Sequence, residues 1–365
     1  MKIIHCADVH LGSSLSANFD ANKAKERNAE LFTTFAGMFP YAKENDVSAI
    51  IIAGDLFDKD KGIKSLKNNV ISLIEEYPDI MVYYIKGNHD GDSEFEKMPK
   101  NLYTFGESDW TTYRPDDSNG VKITGIELNK RNKSFIYNTL SLTEDDFNIV
   151  VMHGQESNSD GKKDAEIINL NSLKGKGIDY LALGHIHAYK EAALDKRGTY
   201  CYSGCLEGRG FDEPGEHGFV LLDIDEKNHA YTKTFVPFAK RTVYHEEIDI
   251  SAAEDTVSAI KIVGDFIEEL ACEEGSIAEF ILTGDLDLDV NIDETLIQSQ
   301  FKDDFYVLKI KSNFSIKIDY GSFEKDESLK GEFVRNVMAD ESLTDEQKEK
   351  IIKYGLDALM GKELA

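Results

Sequence analysis

Short apolar runs alternate with amphipathic stretches through the first half of the chain. Lys2–Ala7, Ala49–Ala53, Ile80–Ile85, Asn148–Met152 and Tyr180–Leu183 are rich in apolar residues and too short for core helices, so they predict buried strands. Between them, Asn22–Glu44 and Ile63–Glu76 carry apolar residues at helical spacing. This alternation predicts an α/β layered fold. After Lys190 the pattern turns to strands. Lys190–Ala193, Thr199–Tyr202, Gly218–Ile224 and Ala230–Val236 read as a meander, with a turn at Asp225–Asn228.

A second unit is expected from Arg241. Its pattern reads strand (Val243–Ile250), helix (Ala252–Glu269), strand (Ile277–Thr283), helix (Glu294–Phe301), strand (Tyr306–Ile310). That is a small α+β module over 241–320. Residues 321–365 read as a helical tail. Phe333, Val334, Val337 and Met338 share one helical face, and Ile352, Leu356, Leu359 and Met360 share another. Thr344 and Gln347 form a capping box that opens the last helix. The organisation expected is therefore 1–240, 241–320 and 321–365.

Composition narrows the class. No stretch of the 365 residues approaches eighteen uninterrupted apolar positions, which argues against a membrane span. Met1-Lys-Ile-Ile-His5 runs straight into a strand pattern without the features of a signal peptide. Four cysteines do not make a disulfide framework at this length, so a reducing, cytoplasmic setting is expected. Cys201 and Cys205 read as incidental thiols. The net charge is −27. Residues 241–320 hold six Lys/Arg against nineteen Asp/Glu, a net of −13. A protein that tracks nucleic acid through its average charge has the opposite sign.

The chemistry lies where the expected strands run out. Five segments do so with metal-binding or acid–base side chains: Asp8-Val-His10, Gly54-Asp55-Leu-Phe-Asp58, Gly87-Asn88-His89-Asp90, His153-Gly154 and Gly184-His185-Ile-His187. Open α/β sheets place their sites at such strand ends. Asp8 and His10 are two apart, as are His185 and His187, so on extended backbone each pair points one way. Asp55 is placed to bridge two ions. Asn88 offers a neutral oxygen and His153 a nitrogen. Seven mixed N and O ligands suit Mn²⁺ or Fe²⁺ better than a thiolate-rich zinc site. Two ions about 3.5–4 Å apart activate water and clamp phosphate oxygens for in-line attack. His89 is the candidate to serve the leaving oxygen, with Asp58 or Asp90 orienting its ring. One such segment alone would read as a turn or a cap. His5 reads as structural, and His217, His229 and His245 as residues of turns or exposed strand positions.

Together the five segments resemble the calcineurin-like metallophosphoesterase superfamily over about the first 235 residues. His5-Cys-Ala-Asp8-Val-His10-Leu-Gly12, Ala53-Gly-Asp-Leu-Phe-Asp58, Gly184-His-Ile-His187 and Tyr202-Ser-Gly-Cys-Leu-Glu-Gly-Arg209 are similar to SbcD-type DNA-repair nucleases, and nearest to their bacterial YhaO-like branch. The resemblance implies a four-layer α/β/β/α sandwich with a capping domain at 241–320. It implies Asp8, His10, Asp55 and His187 as ligands of one metal, and Asp55, Asn88, His153 and His185 as ligands of the other. His89 is then the catalytic histidine and Asp58 the acid that positions it. Manganese is the metal implied, with iron or magnesium as the other choices. The activity implied is exonuclease and endonuclease cleavage of DNA, in a homodimer whose C-terminal helices dock an SbcC-like coiled-coil ATPase. Chemistry alone also admits a phosphodiesterase or phosphatase of small or non-DNA substrates.

Overall fold

β1 (Lys2–Cys6) sits inside a six-stranded sheet, and most of the first unit is built outward from it. Next come α1 (Ala21–Glu44), β2 (Val47–Ala53), α2 (Ile63–Glu76), β3 (Met81–Ile85), β4 (Leu102–Thr104), β5 (Thr111–Tyr113) and β6 (Val121–Gly125). They are followed by α3 (Ile136–Thr139), β7 (Phe147–His153), β8 (Gln155–Ser157), β9 (Ile167–Asn169), α4 (Leu170–Leu173) and β10 (Tyr180–Gly184). β11 (Lys190–Ala193), β12 (Thr199–Tyr202), β13 (Gly218–Asp225) and β14 (Ala230–Pro237) complete the unit. The structure is a computed structural model that describes residues 1–58, 63–91, 95, 97–115, 120–133, 135–158, 166–287, 290–317 and 321–359. The chain divides into two compact units, Met1–Val243 and Tyr244–Ala365.

Two six-stranded sheets stack in the first unit, ordered β14-β13-β1-β2-β3-β4 and β11-β12-β10-β7-β6-β5. Strands β1 to β4 run parallel, as do β6, β7, β10 and β12. Side-chain alternation then decides the layers. Ala49, Ile51 and Ala53 of β2 face Ile149 and Val151 of β7 and Ala182 of β10 across the inter-sheet core. Ile50 and Ile52 point the other way and are equally buried. Burial on both faces is the mark of parallel strands, and explains why β2 shows no polar alternation. α1 packs on β2 and buries Leu31, Phe35, Met38, Phe39 and Ala42. On the far side, Val150, Met152, Leu181 and Leu183 meet Ile136, Leu140, Leu170 and Leu173. The result is the helix–sheet–sheet–helix sandwich. Burying one such Leu or Ile side chain stabilises it by about 1.5–3 kcal/mol.

The meander expected over 190–236 is not one. β11 and β12 pair antiparallel in the second sheet, while β13 and β14 pair antiparallel in the first. Two hairpins look like one meander in sequence because only partners set the sheet. β12 takes β10 as its parallel neighbour, and β13 takes β1. Residues 203–217 therefore cross from one sheet to the other. His217, expected in a turn or an exposed strand position, is buried in that crossing at 5% exposure.

The second unit holds β15 (Val243–Asp249), α5 (Thr256–Leu270), β16 (Ile277–Thr283), β17 (Asp285–Asp287), α6 (Glu294–Phe301), β18 (Val307–Ser312) and β19 (Ser315–Lys317). β15, β16 and β18 form one sheet, over a core of Ile248, Ala259, Val263, Phe280, Ile297 and Leu308. α5 begins at Thr256 rather than Ala252, because Asp255 and Ser258 cap it reciprocally. α7 (Leu329–Ala339) and α8 (Asp345–Leu359) follow. Val334, Ile352 and Leu356 pack together with Phe323, Phe333 and Val337. Met338 and Leu359 stay exposed, and Met360 lies outside the described residues. The Thr344–Gln347 box forms, with Gln347 N donating to Thr344 Oγ1 (3.3 Å) and Thr344 N to Gln347 Oε1 (2.9 Å). Among the described residues, no helix is long and apolar enough to cross a membrane.

Candidate metal centre

All nine candidate residues come together in the first unit, at the C-terminal ends of five strands. Asp8 and His10 follow β1, Asp55 and Asp58 follow β2, Asn88 and His89 follow β3, His153 ends β7, and His185 and His187 follow β10. The backbone there is not extended. Asp8, His10, Asp55 and His185 have φ of +51°, +49°, +51° and +102°. Asp8 and His10 therefore do not share a side through strand alternation, as expected from their spacing. Each is turned individually, in a region that costs a non-glycine residue about 1–3 kcal/mol. Hydrogen bonds from Asp8 N to Gly54 O (3.0 Å) and His10 N to Asp55 O (2.9 Å) lock the two loops together.

Two glycines make the crowding possible. A Cβ on Gly54 would lie 2.1 Å from His153 Nδ1, and one on Gly87 would lie 2.2 Å from Asp55 Oδ1. Gly87→Ala is thus expected to push Asp55 out of place and to lower Mn²⁺ affinity at least about tenfold, the lower end for disturbing a ligand's support. Titration calorimetry checks this, and wild-type affinity would show that the loop gives way freely.

The ligand atoms form overlapping clusters. Asp8, His10 and His187 place theirs within 4.8 Å of one another, as do Asp8, Asp55 and His153, and His10, Asp58 and His89. Asp55 Oδ2 stands 3.4 Å from His153 Nε2 and 3.8 Å from His10 Nε2, between the two histidines. Asn88 Oδ1 is 3.1 Å from His153 Nε2 and 3.3 Å from His185 Nδ1. His185 N donates to both Asp8 oxygens, at 2.9 and 3.0 Å.

Hydrogen bonding tests whether these residues fit metal ions. His153 Nδ1 donates to Ala53 O (2.9 Å), so Nε2 of the neutral ring presents a lone pair to Asp55 and Asn88. His10 and His187 face each other Nε2 to Nε2 at 3.3 Å. His187 gives its Nδ1–H to Glu213 Oε1 (2.6 Å), which leaves Nε2 a lone pair as well. Acceptors that converge in this way repel unless a proton or a cation lies between them. The donor set of imidazole nitrogens and carboxylate or amide oxygens, without a thiolate, fits divalent cations.

Charge states agree with this picture. Burial acts to raise the Asp55 carboxyl, but the His153 hydrogen bond and charge outweigh it and hold it below the usual carboxylate range. Burial also acts to lower His153, yet Asp55 pushes it up to about 9. Burial raises Asp8 to about 7. Burial pushes His10 down to about 3 and lowers His185 too, so those two rings present lone pairs, while His153 and Asp8 are the groups from which a metal ion displaces protons.

His89 is half-exposed, and its Nδ1 lies 3.0 Å from Asp58 Oδ1. Of the two acids expected to orient the ring, Asp58 is the one within hydrogen-bond reach of it. Asp90, the other, is buried and accepts from Phe57 N and Gly87 N, both at 2.7 Å. It staples the β2 and β3 loops. Cys201 and Cys205 are both buried, and neither belongs to the clusters. Sequence reasoning passed over Glu213 and Arg209. They lie in the irregular 203–217 crossing, where spacing carries no direction. A cleft of about 1200 Å³ opens beside Asn88 and His153, lined further by Lys86, Phe95, Met98 and Glu127.

The profile of the calcineurin-like phosphoesterase family matches residues 1–189. The chain is 26% identical over 287 residues to the uncharacterized metallophosphoesterase YhaO of Bacillus subtilis, covering 74% of this chain and 68% of that one. It is 26% identical over 283 residues to the DNA double-strand break repair protein Mre11 of Aeropyrum pernix, covering 71% of this chain and 66% of that one, just under two thirds. Among solved structures it is similar to a dimetal phosphatase from Danio rerio, with a TM-score of 0.41, 10% identity, and coverage of 61% of this chain and 92% of that one.

Proposed function

Because the chain belongs to the calcineurin-like phosphoesterase family, a phosphoester hydrolase by fold and site, we propose that it is a manganese-dependent DNA nuclease. The observation that carries the finer reading is the reach of the repair-protein likeness. Its 283 aligned residues exceed the 189 of the family match, so it is not confined to the family's motifs. A cleft of about 1200 Å³ beside the centre is also larger than the roughly 300–1000 Å³ typical of small-molecule sites.

In this reading Asp8, His10, Asp55 and His187 hold one metal ion, and Asp55, Asn88, His153 and His185 hold the other. Bound metal supplies a Lewis acid that polarises the phosphoryl oxygens and lowers the pKa of water. The chain's own groups do the rest. Asp58 fixes the His89 ring through Nδ1, which leaves Nε2 to hand a proton to the departing sugar oxygen as the P–O bond breaks. The module within 244–317 is the capping domain. The apolar side chains left exposed on α7 and α8, Leu329, Met338, Ile351 and Leu359, are the docking surface for an SbcC-like ATPase in a DNA-repair assembly.

With Mn²⁺ the purified protein is expected to degrade linear duplex or single-stranded DNA. Brisk turnover of a small phosphodiester, with every DNA form left intact, overturns the nuclease reading. One observation favours that second reading, a phosphodiesterase of small substrates: the net charge of −13 over 241–320 repels a DNA backbone.

The leaving group separates the role of His89 from that of the metals. His89→Ala is expected to slow DNA cleavage by about 10²–10⁴-fold, the range for general acid catalysis. It should slow bis-p-nitrophenyl phosphate hydrolysis far less, because nitrophenolate leaves without a proton. Equal losses on both substrates would remove His89 from the acid role.

A further inference from the structure

The segment that crosses from β12 to β13 carries charge into the back of the metal centre. Glu213 is buried, with 8% exposure. Its Oε1 accepts from His187 Nδ1 (2.6 Å) and Arg209 Nη2 (2.7 Å). Its Oε2 accepts from Arg209 N (2.7 Å). Cys205 Sγ lies 3.7 Å from Glu213 Oε2 and 3.2 Å from His217 Nδ1, and fills the space behind the carboxylate. His217 Nε2 donates to Glu213 O (2.9 Å), which pins the backbone as well. Arg209 Nη2 also approaches His187 Nδ1, at 3.0 Å. Two hydrogens cannot meet at one nitrogen. The closer and anionic Glu213 decides that Nδ1 is the donor, and Arg209 then neutralises the carboxylate.

This arrangement goes further than an ion pair between neighbours. Arg209 and Glu213 alone would satisfy each other. The third bond ties them to a histidine whose other nitrogen faces His10 at 3.3 Å. The remaining histidines of the centre are supported differently. His153 is held by a backbone carbonyl. The His185 ring meets Asn88, and the carboxylate oxygen paired with that ring, on Glu166, is 4.0 Å from Nε2. Asp55 meets His153 at Nε2, from within the ligand set; among the described residues, only His187 has a buried carboxylate from outside that set bonded to the nitrogen opposite the one that faces the centre. Such a partner fixes the tautomer, aims the ring and makes it more basic toward a cation.

We propose that Glu213, backed by Arg209 and the Cys205–His217 pair, is a positioning residue that acts through His187 to set the metal affinity of the Asp8–His10–His187 side. The proposal rests on the metal-centre assignment above. It concerns one ion of the two, and it does not depend on which ester is cut.

Mn²⁺ binding to the full chain tests it, by titration calorimetry with electron paramagnetic resonance. Glu213→Gln is expected to weaken one of two ions by about 10–100-fold and to leave the other unchanged. The coupled two-ion spectrum should give way to that of an isolated Mn²⁺. Glu213→Asp keeps the charge beside Arg209 and should lose less. In the double variant Glu213→Gln/His187→Ala, affinity should fall no further than in His187→Ala alone. Wild-type affinity in Glu213→Gln, equal weakening of both ions, or additive losses in the double variant each overturn the proposal. A measurement on the unaltered chain covers the case in which the variants do not fold. Histidine ¹⁵N spectra of the metal-free protein should show His187 protonated on Nδ1, and an Nε2–H tautomer rejects the idea. If the unaltered protein binds no Mn²⁺ at all, it is the metal-centre reading that fails instead.

Discussion

Asp55→Ala is expected to remove both metal ions and to reduce hydrolysis of any phosphodiester by at least about a thousandfold. Asp55 is the carboxylate that reaches both sides of the centre, with Oδ2 near His10 and His153 alike. Its Oδ1 also accepts from His89 N (2.8 Å), which anchors the loop that carries Asn88. Truncation therefore removes a ligand from each side and frees a third. Metal polarisation is worth several kcal/mol in the transition state. At 1.36 kcal/mol per factor of ten, that loss gives the expected magnitude. Calorimetric Mn²⁺ titration and the rate on bis-p-nitrophenyl phosphate check it together. Retention of one tightly held ion would show that the two sides are independent and that Asp55 does not bridge them. Ala keeps a Cβ at the same positive φ, and loses the local hydrogen bonding that lets Asp sit there, so a modest fall in melting temperature should accompany the loss of metal.

Arg27→Met should act in the opposite way, on the fold first and on the site second. Arg27 is fully buried on α1. Its guanidinium bonds Glu30 and donates through Nη2 to Glu207 Oε2 (2.8 Å) and Gly208 O (2.9 Å). Glu207 is itself 2% exposed and is left with Thr34 Oγ1 (2.5 Å) and Lys240 N (2.6 Å). Removing one partner of a buried pair costs about 3–5 kcal/mol, because the other charge stays buried. For a unit of this size that is roughly 6–20 °C in melting temperature. Arg27→Met/Glu207→Gln should recover part of the loss. If the double variant is worse than the single, the two residues are not a pair in the energetic sense. Since Glu207 and Gly208 lead directly into Arg209, the single variant should also loosen Mn²⁺ on the His187 side.

The same network sets acid stability. Burial acts to raise Glu30, but Arg241, Arg27 and Lys240 outweigh it and hold it at about 2, against an ordinary value of 4.5. A depressed carboxyl contributes its full stability above the unfolded value and loses it as pH falls through the folded one. Its contribution is therefore present above pH 4.5 and lost toward pH 2. Glu30→Gln should flatten melting temperature across that window, and an unchanged slope would assign the acid sensitivity to other carboxyls.

How much of this was legible in sequence follows from what local pattern encodes. The strands that end in motifs were readable because parallel, doubly buried strands are continuous apolar runs. Helix ends were readable where a cap was recognised, as at Thr344, and misplaced where one was passed over, as at Asp255. β6 escaped notice because its five residues hold only two large apolar side chains, Val121 and Ile123, too short an alternation to stand out. The sheet partners of β11 to β14 were not readable, because pairing is a long-range choice that neither hairpin records. The site's residue types were plain in the motifs. Its geometry was not, since Asp8 and His10 reach inward through left-handed backbone rather than strand alternation. Glu213 lies in a stretch without periodicity, so nothing in the pattern aimed it at His187.

The placement of β1 has a consequence for synthesis on the ribosome. β1 pairs with β2 on one side and with β13 on the other, and Met1 N donates to Ile224 O. Cys6 and Gly218 are 212 positions apart. At 5–20 residues per second, the first strand waits roughly 10–40 s for its second neighbour to be made. Until then the Asp8 and His10 loop hangs from a half-paired strand, and the 203–217 crossing does not exist. A chain that stops just short of β13 already carries all five motifs, yet its first strand has β2 alone beside it and nothing to hold the far edge of the Asp8 and His10 loop.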